Sequence, residues 1–253
     1  MLKRIAVLVF SSLLAGAAWA QPVPPAQDGG MRTVLESIVV PPIPNAPFTA
    51  TLATEWARPA DGDATITVVN QRQLARDANG RLYEQRWELV PKGGNVRSRM
   101  DWIQIADPIQ RTLYNCNMVT HVCDLLTWNA APDLAAATPP PAMNGPLRGN
   151  RGSVQTENLC TRIIGGVETT GTRITTTWNA GVMGNDAPVT EVRETWRSNP
   201  LAINLLSMRS GPLLGTQKFT VTELDASPPD PALFDPPAGF KVRDLRESHP
   251  PSQ

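Results

Sequence analysis

Histidine is almost missing from this sequence: His121 and His249 are the only two in 253 residues. Histidine is the commonest general base and proton shuttle, and an imidazole-rich metal centre needs several at defined positions. His249 stands among Ser248, Pro250 and Pro251, a poor place to fix one. The sequence also lacks a G-x-S-x-G elbow, an H-E-x-x-H pair and a phosphate-cradling glycine loop. Net charge is absent too, with 23 basic residues against 23 acidic ones. That balance gives no electrostatic reason to expect nucleic acid or an anionic surface as a partner through charge. Beyond the first residues, no apolar run approaches the ~20 residues needed to span a bilayer as a helix.

The first residues are different. Lys3 and Arg4 precede an apolar run from Ile5 to Leu14, and Ala18-Trp19-Ala20 supplies the small-x-small pattern of a cleavage site. Residues 1–20 therefore read as a signal peptide, with Gln21 opening the mature chain in the periplasm or outside the cell. Position 21 is not cysteine, so the usual point of lipid attachment is missing, and no transmembrane segment is expected after cleavage.

Proline, with 25 residues, punctuates the remainder. It crowds 21–47, 139–146 and 228–251, where it cannot donate ladder hydrogen bonds and resists helix. The expected organisation is a proline-rich leader over 21–47 with a short helix at Arg32–Val39, a single antiparallel β domain over 48–243, and a flexible tail over 244–253.

Within the body the hydrophobic period is two. Phe48, Ala50, Leu52 and Trp56 share one parity, with Thr49, Thr51 and Glu55 on the other, as in a half-buried strand. Asp77-Ala78-Asn79-Gly80 carries hairpin turn chemistry between a run ending at Arg76 and the alternation of Tyr83, Trp87 and Leu89. Further runs are predicted over Val96–Ala106, around the two nearby cysteines, and over Cys160–Thr169, Thr172–Asn179, Val189–Trp196, Leu201–Arg209 and Gln217–Leu224. About ten strands joined by short turns, with no helical period between them, predict a mainly β fold: a strongly curved antiparallel sheet or half-barrel. Asp230-Pro231 reads as the start of one capped turn. Charges of alternating sign, as in Glu84-x-Arg86-x-Glu88 and Glu191-x-Arg193, predict cross-strand pairs on a wet face.

Three cysteines remain to be placed. Cys116 and Cys123 flank a tight loop, Asn117–Val122, between two short strands. A zinc centre would need two more ligands at suitable spacing, and a redox centre prefers C-x-x-C at a helix start. In an oxidising compartment the pair reads as a structural disulfide contributing ~2 kcal/mol across so short a loop. Cys160 is the odd thiol, buried in strand packing or bridged to another molecule. No residue is predicted to be catalytic, to hold a cofactor or to ligate a metal. Asp101, Asp107, Asp124 and Asp186 are formal candidates for a hydrolytic carboxylate pair, although acidic residues at turns usually bond to backbone or solvent.

Three stretches, "IADPIQRTLYNC", "GTRITTTWNAGVMGNDAPVTEVRETWRS" and "DPALFDPPAGFKV", resemble an uncharacterised group of exported bacterial β-rich proteins. In that group a D-P turn precedes a Tyr-containing strand, and the C-terminal run ends in D-P-x-L-F-x-x-P-x-G-[YF]. More distantly, the order of elements is similar to the half-barrel fold of periplasmic lipoprotein carriers and related envelope-stress sensors. That resemblance implies a concave sheet able to hold an acyl chain or a hydrophobic peptide.

The expected function is a non-enzymatic exported binding module for an apolar ligand such as an acyl chain or lipoprotein, with Trp56, Trp87, Trp102 and Trp178 lining the concave face. The competing expectation is a cell-envelope interaction or regulatory protein that pairs a sheet edge with a protein partner.

Overall fold

The computed structural model describes residues 38–128 and 142–246. The predicted signal peptide, nearly all of the predicted leader helix, the middle of the central proline-rich loop, and the end of the tail with His249 lie outside the described residues.

The described chain is a mainly β structure, one curved, unclosed sheet of fourteen strands. The first half contributes β1 (Phe48–Pro59), β2 (Thr65–Arg76), β3 (Leu82–Trp87), β4 (Val90–Pro91), β5 (Met100–Asp107), β6 (Thr112–Asn117) and β7 (Val122–Thr127). The second contributes β8 (Gly145–Pro146), β9 (Gly152–Ile164), β10 (Val167–Trp178), β11 (Val189–Ser198), β12 (Ile203–Gly211), β13 (Gly215–Asp225) and β14 (Lys241–Asp244). Across the sheet the order is β14-β7-β6-β5-β3-β2-β1-β13-β12-β11-β10-β9-β8, with β4 alongside β2. The first strand is thus central, held by β2 on one flank and by β13 on the other.

Four features depart from expectation. β4, β8 and β14 are too short to display a period, which is why about ten strands are legible and fourteen form. The strand expected over Cys160–Thr169 is instead two strands, because Gly165 and Gly166 take positive φ and turn the chain. The polar run "GSVQTENL" forms the first part of β9 although its Glu157 and Asn158 are poor strand formers. Lastly, β14 pairs with β7 in parallel, whereas the other pairings among the described residues are antiparallel.

Two cores form, on opposite faces, and they part at adjacent residues of β2. Leu74 joins Phe48, Ala50, Leu52, Ile203, Leu205, Phe219 and Val221 in the first. Ala75 joins Tyr83, Ile103, Ile105, Cys116, Cys123 and Phe234 in the second. Each is covered by chain outside the strands. Ile38 and Val40 of the leader pack on the first, while Leu233, Phe234 and Phe240 pack on the second. The second cover is anchored by the predicted turn: Pro231–Phe234 is a single 3-10 turn, with the Asp230 carboxylate accepting from the amide of Ala232 at 2.9 Å.

The leader is tied down by one buried cation. Arg76 is fully buried and donates to the carbonyls of Ala46 (2.8 Å), Pro41 (2.8 Å) and Leu201 (2.7 Å), while its guanidinium lies 5.0 Å from the Phe48 ring centroid. Burial lowers its pKa to about 10, which leaves it protonated at neutral pH. The β2–β3 turn forms as its sequence predicts. The Asp77 carboxylate accepts from the amides of Asn79 and Arg81, and Gly80, at φ +85°, approaches Pro42 so closely that a Cβ would lie 2.8 Å from its carbonyl oxygen.

Candidate binding trough

The face of β1 opposite the first core carries Thr49, Thr51, Ala53 and Glu55, set by the period of two. The register brings Gln73, Gln71 and Val69 of β2 beside them, and Tyr83 and Gln85 of β3 beyond. With Thr222 and Glu223 of β13 on the other flank, these residues floor a trough that crosses β13, β1, β2 and β3. Its larger part has a volume of about 900 Å³ and ends at Trp87, Val90, Lys92 and Ser98. A smaller hollow of about 450 Å³ shares Thr51, Gln73 and Glu223 with it and ends under Asp230 and Leu233.

One wall is ordered by a chain of hydrogen bonds. Trp87 donates from Nε1 to Oε1 of Gln85 at 2.8 Å, and Gln85 donates from Nε2 to the Tyr83 hydroxyl (2.9 Å) and to Oε1 of Gln73 (3.2 Å). The indole of Trp87 is therefore held in one orientation, with its polar edge satisfied and the rest of the ring available for contact. The other wall is fixed by charge: Lys92 reaches Glu55 at 3.0 Å, and Thr51 donates to Glu223 at 2.8 Å. Behind the floor, Arg72 pairs with Glu84 at 2.6 Å, and desolvation lowers the pKa of Arg72.

Of the four tryptophans expected to share a ligand-lining face, Trp87 stands in the trough. Trp56 has the parity of Leu52 and points to the other side of β1, where its Nε1 donates to the carbonyl of Leu214 at 2.7 Å and Arg58 lies 4.4 Å above its ring. Trp102 is opposite Arg86 in the register, out of phase with Gln85, so it also leaves the trough face. Trp178 ends β10, across the sheet, with Arg151 5.6 Å from its ring centroid. The four do not form one lining. Reading parity within single strands could not relate them, because relating them requires the pairing of strands distant in sequence.

The cysteine pair stands where the loop reading put it. Cys116 and Cys123 face each other across β6 and β7, bonded and fully buried in the second core. Cys160 is exposed in β9, so burial in strand packing is not its fate. His121 occupies the turn between the bonded cysteines at φ 54°, its ring 5.0 Å from that of Phe240. Of the carboxylates considered for hydrolysis, Asp107 accepts from the amides of Ile109 and Gln110, Asp124 takes both nitrogens of the Arg243 fork, and Asp101 lies 3.4 Å from Arg99. Asp186 is exposed in the β10–β11 turn. Among the described residues no cluster of three or more His, Cys, Asp or Glu side chains is placed to hold a metal ion.

No protein-family model and no curated protein matches the chain. Among solved structures, it is similar to a conserved protein of Thermus thermophilus, with 10% identity, a TM-score of 0.38, and coverage of 79% of this chain and 90% of that one. It is also similar to MucB, with 13% identity, a TM-score of 0.37, and coverage of 78% of this chain and 60% of that one. A lipoprotein-sorting protein domain of the outer membrane from Vibrio parahaemolyticus aligns over 74% of this chain and 89% of that one, with 8% identity and a TM-score of 0.17. The distant resemblance to lipoprotein carriers remains one read from the order of elements in the sequence. At these scores the structural similarity assigns no function.

Proposed function

We propose that this chain is a non-enzymatic binding module of the cell envelope, whose trough across β13, β1, β2 and β3 holds an elongated ligand with an apolar acyl part and a polar end. The observation that carries this reading is the trough itself: about 900 Å³, within the usual size of small-molecule sites, beside an indole locked by Gln85. Ala53, Val69, Val90 and Trp87 offer the apolar contact. The threonines, the glutamines and Glu223 offer hydrogen bonds to a headgroup or amide. Burying about eight methylenes would contribute roughly 6 kcal/mol before the cost of ordering the chain, with no catalytic group required. The internal disulfide fits an oxidising, extracytoplasmic location.

Displacement of a fluorescent fatty acid tests the proposal. Purified protein should bind the probe, unlabelled C12–C16 acyl compounds should displace it, and Val69→Asp should weaken binding about tenfold or more by placing a charge against the chain. A protein that takes up no probe, or a Val69→Asp variant that binds as the parent does, sinks the reading.

One observation favours a second reading, in which a sheet edge receives a protein strand. β9 is thirteen residues long and β8 pairs with it only at Ser153 and Val154, while Ile163 further along is 65% exposed. Capture of a single envelope protein at equal stoichiometry, lost on Ile163→Lys, would support it, and an unchanged capture would remove it.

A further inference from the structure

The register sorts the hairpin turns into two ends of the sheet, and the two ends differ in chemistry. One end carries the turns β1–β2, β4–β5, β6–β7, β10–β11 and β12–β13. At or beside each of these five turns stands an exposed apolar side chain: Ile66, Val96, Val119, Met183 and Leu213, which are 44% to 64% exposed. Just inside them, at or near the ends of β1, β3, β5 and β10, lie Trp56, Trp87, Trp102 and Trp178, all half-buried. The opposite end is sparser: Ile109 and Ile163 are exposed at the β5–β6 and β9–β10 turns and Trp128 is half-buried beside Arg111, but Trp196 and Leu201 are buried and the β11–β12 turn is tied to Arg76.

We propose that the tryptophan-bearing end of the sheet docks on a phospholipid surface. Isolated aliphatic tips in the turns, followed by half-buried indoles at the strand ends, match the order of groups at a lipid interface, where indole rings collect beside the headgroups and aliphatic groups enter beyond them. Arg58 and Arg151, stacked on Trp56 and Trp178, place cations beside two of those indoles. The five tips are separated by polar turn residues, among them Asp61, Asp63, Lys92 and Asn185. A fluid bilayer can close around such separate tips, each inserting on its own. Because the turns carry both signs, Asp61, Asp63 and Asp186 against Lys92 and Arg97, apolar insertion carries the affinity and anionic lipid adds little. The inference goes beyond the trough reading and does not depend on it.

Flotation with vesicles of phosphatidylethanolamine and phosphatidylglycerol, and separately of phosphatidylcholine, provides the test. The purified chain should float with both, with a blue shift of tryptophan emission. Val96→Asp combined with Leu213→Asp should reduce the floated fraction about tenfold. Ile109→Asp combined with Ile163→Asp, at the other end, should leave it unchanged, and matching melting curves for the two double variants establish that both are folded. Absence of flotation, which would leave a protein or a second copy as the partner of these tips, overturns the proposal. So does equal loss in the two double variants.

Discussion

The guanidinium of Arg76 reaches from the end of β2 to the carbonyl of Leu201, 125 residues along the chain and 2.7 Å from Nη2. The same group holds Pro41 and Ala46, so one side chain joins the leader, the central strands and the β11–β12 turn. Three carbonyls spread in a plane suit a guanidinium fork and not a point-like ammonium. Arg76→Ala should therefore cost about 3–5 kcal/mol in urea unfolding, because it opens a cavity and strands buried acceptors. Arg76→Lys should recover less than half of that. Full recovery by lysine would show that charge, not the fork, secures the leader.

The Cys116–Cys123 bond closes a short hairpin. A thiol titration in denaturant without reductant should find one reactive thiol, Cys160, and three after reduction. Cys116→Ala with Cys123→Ala should lower stability by ~2 kcal/mol while leaving the β signal intact. Three thiols without reductant would contradict the bond.

Glu194 accepts from Nε1 of Trp196 at 2.7 Å and from Arg173 at 3.0 Å, and these bonds, the indole first, hold its pKa below the ordinary carboxylate value. A lowered folded-state pKa means that the contribution is complete above the unfolded value and disappears as pH falls through the folded one. The stability gap between the parent and Glu194→Gln should accordingly be constant from pH 7 to about 5 and close on further acidification. A gap that persists to pH 2 would show that it does not arise from ionisation.

The indole of Trp196 lies across β10 at Gly171, beneath the guanidinium of Arg162, 3.7 Å from the ring centroid. A Cβ at position 171 would fall 2.8 Å from two ring carbons and from Cβ of Leu159. Gly171→Ala should cost about 1–3 kcal/mol by forcing the indole aside, and the accompanying change in near-ultraviolet circular dichroism should report the displacement. An unchanged spectrum with unchanged stability would mean that the ring is not fixed there.

What the sequence makes legible follows from range. Local chemistry is plain in it: the Asp77–Gly80 turn, the Asp230 cap, the paired cysteines and the period of two in β1 all depend on neighbours within a few residues. The split between Leu74 and Ala75 into two cores was not legible, because alternation gives two faces without saying that both are covered. The trough is illegible for a related reason. Its floor is built from Thr51, Gln73, Gln85 and Glu223, polar residues that read as solvent-facing in each strand and become a site only once four strands are side by side. A run of glutamine and threonine at the trough parity of β1, β2 and β3 was the available signal. The Gly165-Gly166 turn is hidden in the sequence because strand-forming residues continue on both sides of it.

The central position of the first strand has a consequence for how the chain acquires its shape. Thr49 can meet Asp225 only after nearly every other strand has been made, so one flank of β1 stays bare through most of synthesis and delivery. Contacts of such long range favour slow folding. An unpaired strand held open for so long invites pairing with the wrong chain. Removal of β13 by truncation should thus leave a polypeptide that aggregates and does not settle into a smaller stable sheet.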